Sequence, residues 1–381
     1  MTVTRPIERM LSGMDRIAAG RYWALRSALV IAMMSLFLHF PAYGYLIDHL
    51  VGRSDLPEWN NVLAQRDQLF TPQEHSPETH RAKTAFRLTV PVLAKVLRLD
   101  IVGLMALSTF IGVLGLYLSL LLAERFTNDK RQAFLFTLCL AMTYAGSAAF
   151  FDVWGFFDAF GYFFLLLALY ARRQWYIVFL AVFLASFTDE RALIASSVVF
   201  VFHWQEHRRQ GAANLPINAL ACAAAWCLYF LCRWGLSARF HFQTHTDLIG
   251  LPSLKMNEPL LMWSAWMMFE GGWLLVLPMF LIPMFRVDQR RYIPYAWCAL
   301  LIFAVGICVM DTTRSVAYGS IILVPALCYA TETWDRIRTQ RILLFAALVS
   351  LLQPMNFMLG GRELLSVDPL PIKIIFWALE Q

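Results

Sequence analysis

The stretch "FLASFTDERALIASSVVF", residues 183–200, sets Asp189, Glu190 and Arg191 side by side between two apolar runs. A helix rises 1.5 Å per residue, so crossing about 30 Å of hydrocarbon takes about 20 residues, and neither run is that long. Either one long helix carries three charges through the bilayer, or two short helices meet at a turn. The choice fixes the side on which every later loop lies.

The rest of the chain narrows that choice. Of its 381 residues, 59% are hydrophobic and 15% charged, with 30 Phe and 13 Trp, whereas soluble domains carry roughly a quarter charged residues. The apolar residues fall in blocks of about 17 to 25, the length of a membrane-crossing helix. These features predict an integral, multi-pass membrane protein and an all-α fold. The expected architecture is a polytopic transmembrane helical bundle of about eleven helices, forming a single domain over residues 1–381. No small-residue cleavage site follows the first block, which predicts an uncleaved first span. The seven cysteines lie in or beside apolar blocks without ligand-like spacing and read as packing thiols. No Walker A sequence, glycine-rich dinucleotide fingerprint or HExxH occurs, which gives nucleotide-driven pumping and zinc proteolysis no support. The net charge of +6 is spread over loops and does not point to nucleic acid.

Basic clusters recur at the N-terminus (Arg5, Arg9, Arg16, Arg21, Arg26) and at "AERFTNDKRQ", "ARRQW", "QEHRRQ", "FRVDQRRY" and "TETWDRIRTQR". Placing all six in the cytoplasm satisfies the positive-inside rule, and the remaining chain is then net acidic. "ARRQW" and "QEHRRQ" can share a side only if the chain between them enters and returns. "TDER" is therefore read as the tip of a short hairpin, with arms of about 14 residues that climb about 20 Å, so the tip sits at membrane depth. Three charges at that depth need a watery or protein-lined recess, or must pair together. The predicted spans are 25–46, 101–123, 132–150, 156–171, 174–188, 191–204, 213–232, 259–285, 293–310, 315–331 and 342–359, with the N-terminus cytoplasmic and "PLPIKIIFWALEQ" at the outer interface.

With the sides so fixed, the polar residues of the apolar regions gather on the external face. "FFDVWGFFDAFGY" contributes Asp152 and Asp158, "TDER" contributes Asp189, Glu190 and Arg191, and "MDTTRS" contributes Asp311 and Arg314, with Glu270 nearby in "MMFEGGWLL". Singly, each has a simpler reading as a helix cap, a local i,i+3 ion pair or a packed acid. Together they mark a candidate site. Residues 47–100 form a long external loop in which Phe86, Val90, Leu93 and Leu97 recur at helical spacing. That spacing predicts amphipathic juxtamembrane helices over the recess, with Arg87 positioned for lipid phosphate. A second external loop, 233–258, carries His241, His245 and Asp247, half of a metal-ligand pattern.

This layout resembles the GT-C class of integral membrane glycosyltransferases: a first span, a long external loop rich in acids and amphipathic segments, then many helices with polar loops on that same side. The resemblance implies a polyprenyl-phosphate-linked sugar donor, a glycan or lipid hydroxyl acceptor, membrane lipids as surroundings and a role in cell-envelope glycan biosynthesis. It also implies a catalytic acid in the first external loop, where Asp48, Asp55 and Glu58 are the matching positions. Asp189 is a further catalytic candidate. Arg87, Arg191 and Arg314 would meet the phosphate, while Asp152, Asp158, Asp189 and Glu190 would position sugar hydroxyls or orient the arginines, with Glu270 and Asp311 as further substrate-binding candidates. A divalent cation, Mg or Mn, is the one cofactor such chemistry would add. A glycan polymerase or ligase, and a secondary transporter or flippase, remain alternatives, since intramembrane acids also serve as ion sites.

Overall fold

The computed structural model describes residues 19–38, 51–52, 57–70, 84–151, 155–211, 215–242, 250–353, 355–359 and 361–367, with a few isolated positions near the termini. In chain order the helices are α1 Trp23–Leu38, α2 Pro57–Asp67, α3 Thr89–Leu97, α4 Ile101–Thr127, α5 Lys130–Ala141, α6 Tyr144–Phe151, α7 Asp158–Tyr170, α8 Trp175–Thr188, α9 Glu190–Arg209 and α10 Ile217–Phe240. They continue with α11 Leu251–Asn257, α12 Leu261–Met267, α13 Trp273–Phe285, α14 Ile293–Ile307, α15 Thr312–Ala317, α16 Leu323–Thr333 and α17 Arg336–Leu352. Short 3-10 turns join several of them, and strands β1 Met355–Leu359 and β2 Arg362–Val367 follow.

Local chemistry places the boundaries. Asp100, Asp129, Asp189 and Asp335 sit in extended backbone and accept backbone N–H bonds from the first turns of α4, α5, α9 and α17, satisfying donors that a helix start otherwise leaves bare. Asn128 closes α4 in the left-handed region.

The protein is predominantly helical, but the expectation of about eleven spans is corrected. Among the described residues three helical stretches are long and apolar enough to cross a membrane: Ile101–Thr127, Ile217–Phe240 and Thr312–Thr333. Counting each bent pair as one span raises this to five. The reason is that apolar composition runs on through breaks that it does not reveal. The block at 132–150 bends by 74° between α5 and α6, and the block at 259–285 bends by 68° before Glu270. At 13 and 14 residues, α7 and α8 rise only about 20 Å. The block at 342–359 is not one helix either: α17 stops at Leu352, and the chain folds into an antiparallel hairpin with a bulge between Phe357 and Met358. Gly361 makes its turn at φ +73°.

The long helices divide into outer and inner. The apolar windows of Ile101–Thr127 and Ile217–Phe240 are only 22% and 28% buried within the protein, against 83% for Thr312–Thr333. Leu220, Phe230, Leu231 and Trp234 on α10 are exposed, an apolar face suited to lipid. The Thr312–Thr333 stretch is the central post, ringed by α7, α9, α14 and α13.

At Asp189 the helix breaks. This residue is at once the last cap of α8 and the first of α9. Arg172, just before α8, pairs with Glu206, near the end of α9, at 3.3 Å, so the chain returns to the level it left. The polar contacts then segregate to two ends. One end joins Arg125 to the Tyr170 carbonyl, Arg336 to Asp129 at 2.6 Å, and Arg209 and Arg291 to Glu332. There, burial reinforced by the Glu332 carboxylate pushes the Tyr292 phenol well above the usual tyrosine range. The other end holds the turn at Asp189, the starts of α7 and α15, and α3, whose Thr89 hydroxyl donates to the Leu184 carbonyl at 2.7 Å.

Candidate active site

At that second end, four carboxylates and four guanidiniums from five segments form one connected cluster. The deepest member is Arg314, on α15 and fully buried. Its Nε and Nη2 lie 2.5 and 3.0 Å from the two oxygens of Asp158, its Nη1 lies 2.7 Å from Asp311, and its Nη2 lies 3.6 Å from Asp189. The forked donor set meets the Asp158 carboxylate in the bidentate geometry that favours Arg over Lys. Asp158, the first residue of α7, also accepts from Tyr318 at 3.2 Å and Tyr144 at 3.4 Å, and the Phe156 ring lies 3.7 Å from the Arg314 guanidinium carbon.

The second layer turns on Asp189. Arg191 grips both of its oxygens at 2.6 Å and reaches Ser315 at 2.8 Å and Asp311 at 3.5 Å. Arg87 arrives from the first long loop and sits 3.0 Å from Asp189. Asp189 is 1% exposed. With its oxygens facing three arginines and the Arg191 N–H, it has no free lone pair to offer a substrate, so its place is in holding the arginines.

The third layer is the rim. Glu190 lies 3.3 Å from Arg233 and 3.7 Å from Arg87, and its side chain is 32% exposed, against 21% for Arg233 and 16% for Arg87. Arg233 also donates to the Tyr229 hydroxyl at 2.8 Å and stacks over Phe86 at 4.1 Å. Charge is thus balanced and sealed below, and open to a ligand above. An apolar groove of about 490 Å³ is lined by Leu88, Val92, Phe183, Phe187, Leu236 and Phe240; Leu88 directly follows Arg87, and Phe187 packs on Tyr229, which Arg233 holds.

The structure therefore brings together Arg87, Asp158, Asp189, Glu190, Arg191, Asp311 and Arg314. Glu270 is not among them, a correction to its expected place in the recess. It lies in the 3-10 turn Glu270–Gly272, buried against α5 and α17, because the break ahead of α13 turns it away. Asp48, Asp55 and Asp152 lie outside the described residues, as do the Glu58 side chain, His245 and Asp247. His241 caps α10 in the left-handed region. Arg233, Tyr318, Ser315, Tyr144 and Phe156 complete the site without having been singled out in the sequence. Of these only Arg233 carried a signal, a cation inside an apolar helix; ending that span at 232 hid it in a loop.

Among the described residues no group of three His, Cys, Asp or Glu is disposed to hold a metal. Each carboxylate of the cluster faces at least one arginine, and the buried Asp311 Oδ1 has no hydrogen-bond partner among the described residues. Gly161, one turn beyond Asp158, makes room for Tyr318: a Cβ there would stand 2.7 Å from the Tyr318 hydroxyl. That phenol is held by Asp158 and by the Tyr162 ring at 4.6 Å. Gly161→Val is expected to expel it and destabilise the protein by about 1–3 kcal/mol, read as a lowered unfolding midpoint in detergent, with Gly161→Ala milder.

Comparison with protein-family models, with characterised proteins and with solved structures returns no match.

Proposed function

We propose that this protein is a membrane glycosyltransferase that transfers a sugar from a polyprenyl-phosphate-linked donor to a hydroxyl of a glycan or lipid acceptor at the external face. The observation that carries the reading is the apolar groove whose Leu88 directly follows Arg87 in the chain and whose Phe187 packs on Tyr229, the hydroxyl partner of Arg233. A groove of that kind suits an amphiphile with a long hydrocarbon tail and an anionic head. The opposite end, rich in Arg, is assigned to the cytoplasm.

The rim suggests how transfer would run. A donor phosphate entering between Arg87 and Arg233 competes with Glu190 for both guanidiniums and so releases the carboxylate. The acceptor hydroxyl attacks the anomeric carbon and loses its proton to Glu190, while the bond from that carbon to the phosphate oxygen breaks and its electron pair leaves on the phosphate, held by the arginines. One face of the sugar is attacked as the other departs, so the configuration inverts. The buried Arg314, Asp158, Asp189 and Arg191 keep the rim in place. A first-loop acid, Asp48, Asp55 or Glu58, is the other candidate base.

Purified protein given a panel of polyprenyl-phosphate sugars and acceptors should consume donor and release polyprenyl phosphate. Transfer of single sugars separates this reading from polymerisation or ligation of whole glycans. The bent helix pairs favour a second reading, a secondary transporter or flippase, since broken helices line transporter sites. Coupled uptake into proteoliposomes with no donor turnover would establish it instead. Gly235 tests the groove directly, because it lines the groove and a Cβ there meets nothing within 4 Å. Gly235→Trp fills the space without strain and is expected to raise the donor KM by about tenfold, with kcat nearly unchanged.

A further inference from the structure

The two bent helix pairs meet at their breaks. Glu270, the first residue of the 3-10 turn after one break, accepts a hydrogen bond from the backbone N–H of Tyr144, the first residue of α6 after the other. Glu270 is 3% exposed, and its Oε2 is buried with no hydrogen-bond partner. Its φ of +48° lies in the left-handed region that a non-glycine residue rarely occupies. The backbone around it is tightly apposed. The Gly271 N–H donates to the Ser350 hydroxyl at 3.1 Å, and a Cβ on Gly271 would lie 2.1 Å from the Ala346 carbonyl oxygen.

The groups facing this acid are few. From α5 comes the Cys139 thiol, 3.6 Å from the Ser350 hydroxyl of α17; α13 carries no titratable side chain. Tyr144 offers its N–H to Glu270 but turns its phenol to Asp158. No guanidinium or ammonium is paired with Glu270 among the described residues. An ionised carboxylate with one bare oxygen and no counter-charge is a costly state at such a place, and the neutral acid is the cheaper one.

We propose that Glu270 is a proton-binding site at the crossing of the two broken spans, protonated at neutral pH, and that loss of the proton loosens that crossing. Tyr144 ties the crossing to the charged cluster: its N–H rests on Glu270 and its hydroxyl on Asp158, 3.4 Å away. A shift at the break between α5 and α6 therefore moves a ligand of the Asp158–Arg314 pair. The proposal stands independently of sugar transfer and would hold equally for a transporter.

Two measurements test it. In infrared spectra of the purified protein at neutral pH, the carbonyl stretch of a protonated carboxylic acid should be present and should vanish in Glu270→Gln. Loss of a carboxylate band instead, or no change, overturns the assignment. The second uses Cys139, 1% exposed beside Glu270, as the sole thiol, with the other six cysteines replaced by serine. A membrane-permeant maleimide should label it about tenfold faster at alkaline pH with Glu270 than with Gln at that position, and at equal rates at acid pH. An ionised carboxylate beside the thiol disfavours its thiolate, so faster labelling with Glu than with Gln reports the loosening and not ionisation of the thiol. Equal rates across the whole pH range would refute the loosening.

Discussion

Replacing Arg314 with methionine is expected to cost the folded protein about 3–5 kcal/mol, a large part of the 5–15 kcal/mol that typically separates folded from unfolded domains. Arg314 is fully buried and is the shared counter-charge of Asp158 and Asp311, with Asp189 at 3.6 Å. Asp158 has no other guanidinium among the described residues. Methionine fills the volume but leaves that carboxylate buried and unpaired, a far greater penalty than losing the pair as a unit. Reversible denaturant titration in mixed micelles measures the loss. The double variant Arg314→Met with Asp158→Asn should recover much of it, since the stranded charge is then absent. A single variant within 1 kcal/mol of wild type would mean that water or movement of the chain neutralises Asp158, and the cluster would no longer count as the site's foundation.

Glu190→Gln is expected to act on turnover and leave folding alone. Glu190 is the most exposed carboxylate of the cluster and makes only long contacts, 3.3 and 3.7 Å, to its two arginines. If it takes the acceptor's proton, the amide lowers kcat by about 10²–10⁴-fold. The donor KM should not rise, because Arg87 and Arg233 lose a competitor for the phosphate. Arg233→Ala should show the converse, a raised KM. A Glu190→Gln enzyme with wild-type kcat would move the base to the first external loop, to Asp48, Asp55 or Glu58. Unfolding curves for both rim variants should overlie that of the wild type, in contrast to Arg314→Met.

How much of this was legible in the sequence depends on what kind of signal each residue leaves. Asp158, Asp189, Arg191, Asp311 and Arg314 stand out because a charge in an apolar block demands a partner or a purpose, and they do converge. The turn at Asp189 was legible for a different reason: the basic clusters on either side could share a face only if the chain doubled back. The supporting aromatics were not legible. Phe156, Tyr144 and Tyr318 are three among many in a chain with 15% aromatic residues, and nothing local says which of them will touch an arginine. Helix breaks were equally silent. Apolar composition runs through the 74° bend, and its one local mark is Gly146, where a Cβ would stand 2.1 Å from the Leu140 carbonyl oxygen. The hairpin at 355–367 had a cue, the "GG" at 360–361, but an apolar run leading into it read more simply as the end of a span.

The order in which the cluster's members occur along the chain has a consequence for biogenesis. Asp158 precedes Arg314 by 156 residues, and ribosomes add about 5–20 residues per second, so the acid emerges roughly 8 to 30 s before its partner exists. During that interval the nascent chain carries the Asp158 carboxylate without its guanidinium partner. The Asp158–Arg314 pair therefore closes only once α15 has been delivered. The last piece arrives later still: Phe357 of the C-terminal hairpin stacks on Phe156, and the Met358 N–H caps Thr313, so a ribosome that stalls before codon 357 leaves a chain without the strand that latches the floor of its own site.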